Sequence, residues 1–118
     1  MNALHTLICN AIAARKLLMF AYGDAVRVVE PHLFGVTGAG NETLSAWLRQ
    51  GLSRSDPEGW WRTYLVAEMR DVQMLDETFA GARPGYNAND ERVAHVICQL
   101  PPADEPSGPR LVRDDPAS

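Results

Sequence analysis

The chain has 118 residues, which is enough for one domain and too few for two domains of ordinary size. Hydrophobic residues make up 46% and charged residues 22% of the sequence, a balance that excludes a disordered chain, a collagen-like repeat and a coiled-coil rod. The net charge of −4 argues against a nucleic-acid binder whose whole surface is basic, and it leaves a local basic patch as the form such a site would take.

No apolar run approaches the roughly 20 residues of a membrane-spanning helix, so we predict no membrane partner. The N-terminal stretch lacks the order of a secretion signal, because its basic pair, Arg15-Lys16, follows the apolar residues. Cys9 and Cys98 are far apart and form no CxxC motif, so free, buried thiols in a reducing cytosol are predicted. Together these features predict a cytoplasmic protein.

The first segment predicts an amphipathic α-helix over residues 2–16. Arg15 and Lys16 are expected at its C-terminal end, where cations meet the negative end of the helix dipole. Its apolar stripe must pack against another element, and we expect that element to be a sheet. The stripe follows from apolar residues that recur at spacings of three and four: Leu4, Leu7, Ile8, Ala11 and Ile12.

From residue 17 onward the pattern changes to that of short strands. Gly23-Asp24 predicts a hairpin turn between the first two strands, and residues 35–42 and 79–89 predict irregular connections. One helix followed by five or six short strands predicts a mainly β, α+β fold: a small, strongly bent β-barrel with the helix over one end. The strands are predicted at residues 17–22, 25–34, 43–50, 60–66, 72–75 and 93–100. On the third of them, alternation predicts Leu44, Ala46 and Leu48 on one face and the residues between them on the other.

Residues 1–100 are predicted to form this single domain, with the helix at 2–16 and the barrel at 17–100. Residues 101–118 are rich in proline and acidic side chains and hold one large apolar pair, Leu111-Val112. Such a composition does not bury itself, so we predict a disordered, proline-rich acidic tail.

Catalytic and metal-binding patterns are missing from the sequence. It holds no GxSxG motif, no cysteine–histidine pairing and no phosphate-binding loop. Neighbouring acids such as Asp90-Glu91 diverge instead of converging across a cleft. Cys9, His95 and Cys98 lack the paired ligand spacing of a zinc site. We therefore predict no enzyme, no catalytic residue, no metal and no cofactor.

The strands carry a series of short motifs in a fixed order. These are Phe20-Ala21-Tyr22, Arg27-Val28-Val29-Glu30-Pro31, Leu44-Ser45-Ala46-Trp47-Leu48, Gly59-Trp60-Trp61-Arg62-Thr63-Tyr64, Val72-x-x-Leu75, Phe79, Arg83-Pro84 and Tyr86. With the preceding helix, their order and spacing resemble the WYL domain, a family of small bacterial domains. The resemblance extends from about residue 4 to residue 86. It implies an N-terminal helix followed by a five-stranded Sm-like (SH3-type) β-barrel.

The family resemblance also implies a function. WYL domains usually follow a helix-turn-helix domain in transcription regulators and act there as sensing modules for nucleic acid or nucleotides, while others accompany phage-defence systems. This chain is expected to have no room for a helix-turn-helix. We therefore predict a free-standing WYL-like module that binds a phosphate-bearing ligand, single-stranded nucleic acid or a nucleotide, and that serves transcription regulation or phage defence. An effector protein would then act in trans.

The leading candidates for ligand contact are Arg27 and Arg62, which lie on predicted strands at positions that match the family pattern. A phosphate needs fixed, forked cations, and a strand holds an arginine stem more firmly than a loop does. The alternative is that these arginines pair with nearby acids, such as Glu30. Arg49 and Arg70 are predicted as further cations of the same site.

Three more residues complete the predicted ligand site. Trp47 lies among arginines, where an aromatic ring can stack against a base. Ser45 stands where the family has the tyrosine of its Trp-Tyr-Leu motif, and it offers a hydroxyl. His32 follows Pro31 on the strand of Arg27. The position that resembles a usually basic residue of the family is occupied here by Glu68.

A protein-interaction or assembly module is the second hypothesis, and it fits the acidic balance better. Such a module would form a homodimer through exposed edge strands or would dock to another chain. Two surface features distinguish the hypotheses. Arg27 and Arg62 that converge on one open pocket favour a ligand, whereas an exposed apolar patch around a tryptophan favours a partner protein.

Overall fold

The computed structural model describes residues 3–50 and 60–101. The predicted turn at 53–59 and the predicted tail beyond residue 101 lie outside these ranges. The described elements are α1 Ala3–Ala14, β1 Lys16–Tyr22, β2 Ala25–Thr37, β3 Glu42–Gln50, β4 Trp60–Leu65, a short 3₁₀ helix Val66–Glu68, β5 Arg70–Thr78 and β6 Val93–Gln99. None of the described helices is long and apolar enough to cross a membrane.

The N-terminal helix ends two residues earlier than the sequence predicts. Arg15 adopts a positive φ of 55°, and its backbone N–H donates to the carbonyl of Ile12 at 3.2 Å, so the chain turns out of the helix there. The Arg15 guanidinium donates to the carbonyl of Ala80 at 3.3 Å. Lys16 already begins β1. Arg15 therefore lies in the connection to the sheet and Lys16 in its first strand, and neither lies in the last helical turn.

The strands form one antiparallel sheet in the order β4-β3-β2-β1-β5, and β6 pairs with β2. One edge of the 13-residue β2 pairs with β3 along most of its length. The opposite edge pairs with β1 through residues 25–29 and with β6 through residues 33–37. Pro31, which has no N–H to donate, lies in the gap between these two pairings.

The mainly β, α+β architecture is confirmed, but the sheet differs from the predicted barrel. It has six strands, and within the described ranges it is not closed, because β4 and β5 at its two ends do not pair. Alternation along each strand is a local property that the sequence displays. Closure would require β4 to pair with β5, the next strand along the chain, and the alternation within each strand does not encode that pairing.

The core lies between the helix and one face of the sheet. Ile8 and Ile12 of α1 are buried against the strands, together with Leu18 and Phe20 of β1 and Phe34 of β2. On β3 the predicted alternation is confirmed: the apolar side chains Leu44, Ala46 and Leu48 are all buried. The opposite face of β3 therefore presents its polar and aromatic side chains outside this core.

A disulfide joins Cys9 of α1 to Cys98 of β6, so the prediction of two free thiols is wrong. Their Cα atoms lie 5.8 Å apart although the cysteines are separated by 89 residues in sequence. The pairing arises because β6 returns to the β2 edge that α1 covers. Sequence spacing alone does not reveal this proximity. The bond ties the first described element to the last.

We expect Gly35→Ala to destabilise the protein by about 1–3 kcal/mol through overpacking. Gly35 lies on β2 beside the paired strand β6, and a Cβ there would lie 2.5 Å from Val93 Cγ1 and 2.6 Å from the His95 carbonyl oxygen. Gly38→Ala is the matched control, because a Cβ at Gly38 meets no atom within 4 Å. Urea unfolding of both variants checks this. Equal unfolding midpoints for the two variants would contradict the close packing of β6 on β2.

Candidate functional site

A groove with a volume of about 310 Å³ lies between β4 and the segment 85–92 that leads into β6. We call it the β4 groove. A narrower cleft of about 80 Å³ adjoins it and shares Ser45, Thr63, Asp90 and Arg92 with it. The groove is lined by Ser45, Trp61, Arg62, Thr63, Gly85, Tyr86, Asn87, Asp90 and Arg92.

Strand pairing places the polar wall of the groove. Ser45 of β3 lies directly opposite Thr63 of β4, and Trp47 lies opposite Trp61. Because side chains alternate between the two faces of a strand, these four share the face that points away from the core. Arg62 alternates with its neighbours and begins on the other face. Its guanidinium donates to the Trp61 carbonyl at 3.0 Å, and Arg62 is among the residues that line the groove.

The opposite wall is an irregular segment held by side-chain hydrogen bonds. Trp61 Nε1 donates to the carbonyl of Pro84 at 2.9 Å, and the Tyr86 hydroxyl donates to the carbonyl of Leu100 at 2.7 Å. The rings of Trp61 and Tyr86 stack with centroids 6.1 Å apart. Burial raises the pKa of Tyr86 to about 12, which keeps the phenol neutral. Gly85 has a φ of 88°, and a Cβ there would lie 3.0 Å from Trp61 Nε1.

An ion pair lies within the groove. The Arg92 guanidinium binds the Asp90 carboxylate through Nη2 to Oδ2 at 2.6 Å and through Nε to Oδ1 at 3.0 Å. The Arg92 backbone N–H adds a third bond to Oδ1 at 2.9 Å. Hydrogen bonds from Arg92 hold the pKa of Asp90 below its usual range, so the carboxylate is charged at neutral pH. The groove thus contains two arginines and one charged aspartate.

Two of the predicted ligand residues, Arg62 and Ser45, lie together in the β4 groove. Arg27 is not part of its lining. The charges of Arg27 and Arg62 both act to lower the pKa of Tyr64, although burial, the larger effect, raises that pKa overall.

Arg49 lies outside the groove, in a network of ion pairs around Glu30. The Glu30 side chain is 1% exposed and receives two bonds of 2.8 Å from the Arg83 guanidinium. Arg49 Nε lies 3.7 Å from the same carboxylate, and Arg49 Nη2 lies 3.0 Å from Glu77. These contacts explain the position of Arg49 without a ligand.

His32 is fully buried in the same network. Its Nδ1 bonds to the Glu30 carbonyl at 2.8 Å, and its Nε2 accepts the backbone N–H of Arg83 at 3.0 Å. Burial is the main reason why the pKa of His32 is lowered, so the ring is neutral with its proton on Nδ1. Both ring nitrogens form hydrogen bonds to the backbone, so His32 holds the segment around Arg83 against β2.

The remaining predicted residues also contact protein groups. The Arg83 guanidinium lies 5.0 Å from the centre of the Trp47 ring. Arg70 donates to the Gly23 carbonyl in the turn between β1 and β2. Neither Trp47 nor Arg70 lines the β4 groove. The structure therefore separates the predicted set into a groove group and residues that hold the fold.

No protein-family model, curated protein or solved structure matches the chain. The site therefore has to be interpreted from its own chemistry. Among residues 3–50 and 60–101, no group of three histidine, cysteine or acidic side chains is arranged to hold a metal ion. The residues that line the groove include two arginines, an aspartate, a serine, a threonine, an asparagine and two aromatic residues.

Sequence reasoning missed the wall formed by Tyr86, Asn87, Asp90 and Arg92. That segment has no helical or strand period, and Asp90-Glu91 suggests only a solvated acidic pair. The Asp90-x-Arg92 spacing was the available signal, because an aspartate readily bonds the backbone and side chain two residues later. It is too common to identify a site by itself.

Proposed function

We propose that the chain is a ligand-sensing regulatory module that binds a phosphate-bearing ligand, single-stranded nucleic acid or a nucleotide, in the β4 groove. The observation that carries the proposal is the meeting of the predicted Arg62 and Ser45 with a second arginine, Arg92, in one groove. Guanidinium groups bind phosphate through paired, charge-assisted hydrogen bonds. The volume of about 310 Å³ lies at the lower end of the range for small-ligand sites, roughly 300–1,000 Å³.

The lining also suits the rest of a nucleotide. Ser45, Thr63 and Asn87 supply hydrogen-bonding groups for a sugar or a base. The partly exposed Trp61 ring borders the groove and offers an aromatic surface to a base. Charge, hydrogen bonds and aromatic area within one groove favour a nucleotide unit over inorganic phosphate alone.

The WYL-like, Sm-like (SH3-type) assignment is part of this proposal. Its support is the N-terminal helix, the antiparallel order of the strands, the 3₁₀ helix between β4 and β5, and the pairing of β5 with β1. A role in transcription regulation or phage defence follows from the resemblance. The Cys9–Cys98 disulfide is typical of oxidising compartments, and it argues against the predicted cytoplasmic location.

Arg62→Ala is expected to weaken binding of a labelled single-stranded oligonucleotide by about tenfold to a hundredfold, because one charge-assisted contact is worth roughly 1.5–3 kcal/mol. Fluorescence anisotropy with DNA and RNA at low and moderate salt measures this effect. Lys16→Ala is the matched control. It removes the same charge from β1, where Lys16 lies 4.0 Å from Asp76 and does not line the groove.

Wild-type binding should weaken as salt rises, since phosphate neutralisation releases counterions. If the Arg62 and Lys16 variants lose the same affinity for the oligonucleotide, binding depends on the overall charge of the protein. That result would contradict binding in the β4 groove. Absence of wild-type binding to every oligonucleotide and nucleotide, at low salt and tens of micromolar protein (about the non-specific range), would refute the proposal.

A protein-interaction or assembly module is the second candidate, and exposed apolar side chains favour it. Trp60 is 57% exposed at the start of β4, and Val26 is 55% exposed on β2. Within the described ranges β4 pairs only with β3, which leaves its other edge open to a further strand. Sedimentation equilibrium tests for a dimer. This candidate predicts self-association that Trp60→Ser weakens, and a monomer at all concentrations would exclude the homodimer.

A further inference from the structure

We propose that the β4 groove selects a terminal phosphate, a phosphomonoester at the end of a nucleotide or strand, over the internal phosphodiesters of a strand. This inference rests on the proposed function and narrows its ligand class.

Asp90 already occupies part of the Arg92 guanidinium. The Asp90 side chain is only 13% exposed, whereas the Arg92 side chain is 73% exposed. Nε and Nη2 of Arg92 bind the carboxylate, and within the described part of the chain Nη1 donates to no protein atom. Asp90 thus fixes the plane of the guanidinium and leaves one end of the fork directed away from the ion pair.

A terminal phosphate fits this arrangement better than a phosphodiester does. It carries a charge of about −1.5 to −2 at neutral pH and three strong acceptor oxygens. Arg62 reaches the groove from β4 and Arg92 from the opposite wall. Three terminal oxygens allow both arginines and a hydroxyl such as Ser45 to bind one phosphate at once. An internal phosphodiester has a single charge and only two such oxygens, so it satisfies fewer of these donors.

The groove is also the wrong shape and the chain the wrong charge for a long strand. Proteins that bind single strands without sequence preference follow the backbone with positive grooves over about 4–16 nucleotides. The β4 groove is a pocket of about 310 Å³ with two arginines and one aspartate among its described lining residues. A strand that entered and left it would also meet a chain of net charge −4. An end that enters alone avoids most of this repulsion.

Isothermal titration calorimetry with four probes tests the inference. The probes are adenosine, adenosine 5′-monophosphate, the adenine dinucleotide with a 5′-hydroxyl, and the same dinucleotide with a 5′-phosphate. We expect each 5′-phosphorylated probe to bind at least about tenfold more tightly than its unphosphorylated counterpart, the effect of one additional charge-assisted contact. Tighter binding of the mononucleotide indicates a free nucleotide as the source. Tighter binding of the phosphorylated dinucleotide indicates a strand end, and both results support a terminal phosphate.

Arg92→Gln identifies the residue that reads the phosphate. Because the side chain is mostly exposed, this variant should fold, and its unfolding midpoint checks that. The tenfold preference for the 5′-phosphate should fall towards one, while Lys16→Gln retains it. A ratio is measured because a loss of structure would weaken both dinucleotides alike and leave the ratio unchanged.

The outcomes separate the two proposals. Equal affinities for the two dinucleotides would overturn the selection of a terminal phosphate and leave the phosphate-binding groove intact. An Arg92→Gln variant that keeps the tenfold preference would overturn the role given to Arg92 and Asp90. Failure of all four probes, together with failure of longer oligonucleotides, would overturn the proposed function itself.

Discussion

Reduction of the Cys9–Cys98 disulfide is expected to lower the free energy of unfolding by about 4–5 kcal/mol. The bond joins residues separated by 89 positions, so it removes much of the conformational freedom of the unfolded chain. Chain-entropy arithmetic for a loop of this length gives roughly that value. It also ties α1 to β6, the strand that follows the groove wall. Urea unfolding with and without a reductant, followed by tryptophan fluorescence, measures the difference.

The double variant Cys9→Ala/Cys98→Ala is the control. It should unfold at the lower urea concentration and show no response to the reductant. Two reactive thiols in the denatured, unreduced wild-type protein, or equal midpoints with and without reductant, would contradict the disulfide.

Arg83→Met is expected to destabilise the protein by about 3 kcal/mol. The Glu30 carboxylate is almost fully buried, and Arg83 supplies both of its short hydrogen bonds. Loss of one partner of a fully buried pair costs roughly 3–5 kcal/mol. The Arg83 side chain is 41% exposed, so water can partly replace it beside Glu30 and the cost is reduced. Arg49 remains 3.7 Å from Glu30, and this partial compensation places the effect at the lower end.

The double variant Glu30→Gln/Arg83→Met makes this prediction specific to charge. It should be more stable than Arg83→Met alone, because a buried amide costs less than a buried carboxylate. Arg70→Met provides a matched control on the surface of β5, with an expected effect within about 0.5 kcal/mol. If Arg83→Met and Arg70→Met have the same urea midpoint, Glu30 does not depend on Arg83 as described.

Local structure was predictable where apolar residues recur at the spacing of a helix or of a strand. The helix stripe predicted α1, and the alternation of Leu44, Ala46 and Leu48 predicted the buried face of β3. The extension of β2 to Thr37 was missed because Gly35 suggests a loop. In the fold, a side chain at that position would meet Val93 and His95 of the paired strand β6, so the strand requires a glycine there. The glycine that suggests a loop in the sequence is thus explained by contact with β6, a strand far away along the chain.

The candidate site was only partly predictable for the same reason. Arg62 and Ser45 could be identified on their strands, but neither strand shows what lies opposite. Arg49 and His32 attract attention as polar residues near Arg27, although the buried Glu30 engages both of them. The main partner of Glu30 is Arg83, which is 53 positions away along the chain, so the sequence near Glu30 does not reveal it.

Chemical-shift mapping by ¹H–¹⁵N NMR tests the central claim, a phosphate-binding β4 groove, most directly. The probe is a 5′-phosphorylated single-stranded trinucleotide at low salt, which presents a terminal phosphate and internal phosphodiesters together. The proposal predicts saturable shifts concentrated at Ser45, Arg62, Asn87 and Arg92, and their loss in Arg62→Ala. Shifts that cluster elsewhere on the sheet, or an unchanged spectrum at saturating probe, would contradict it.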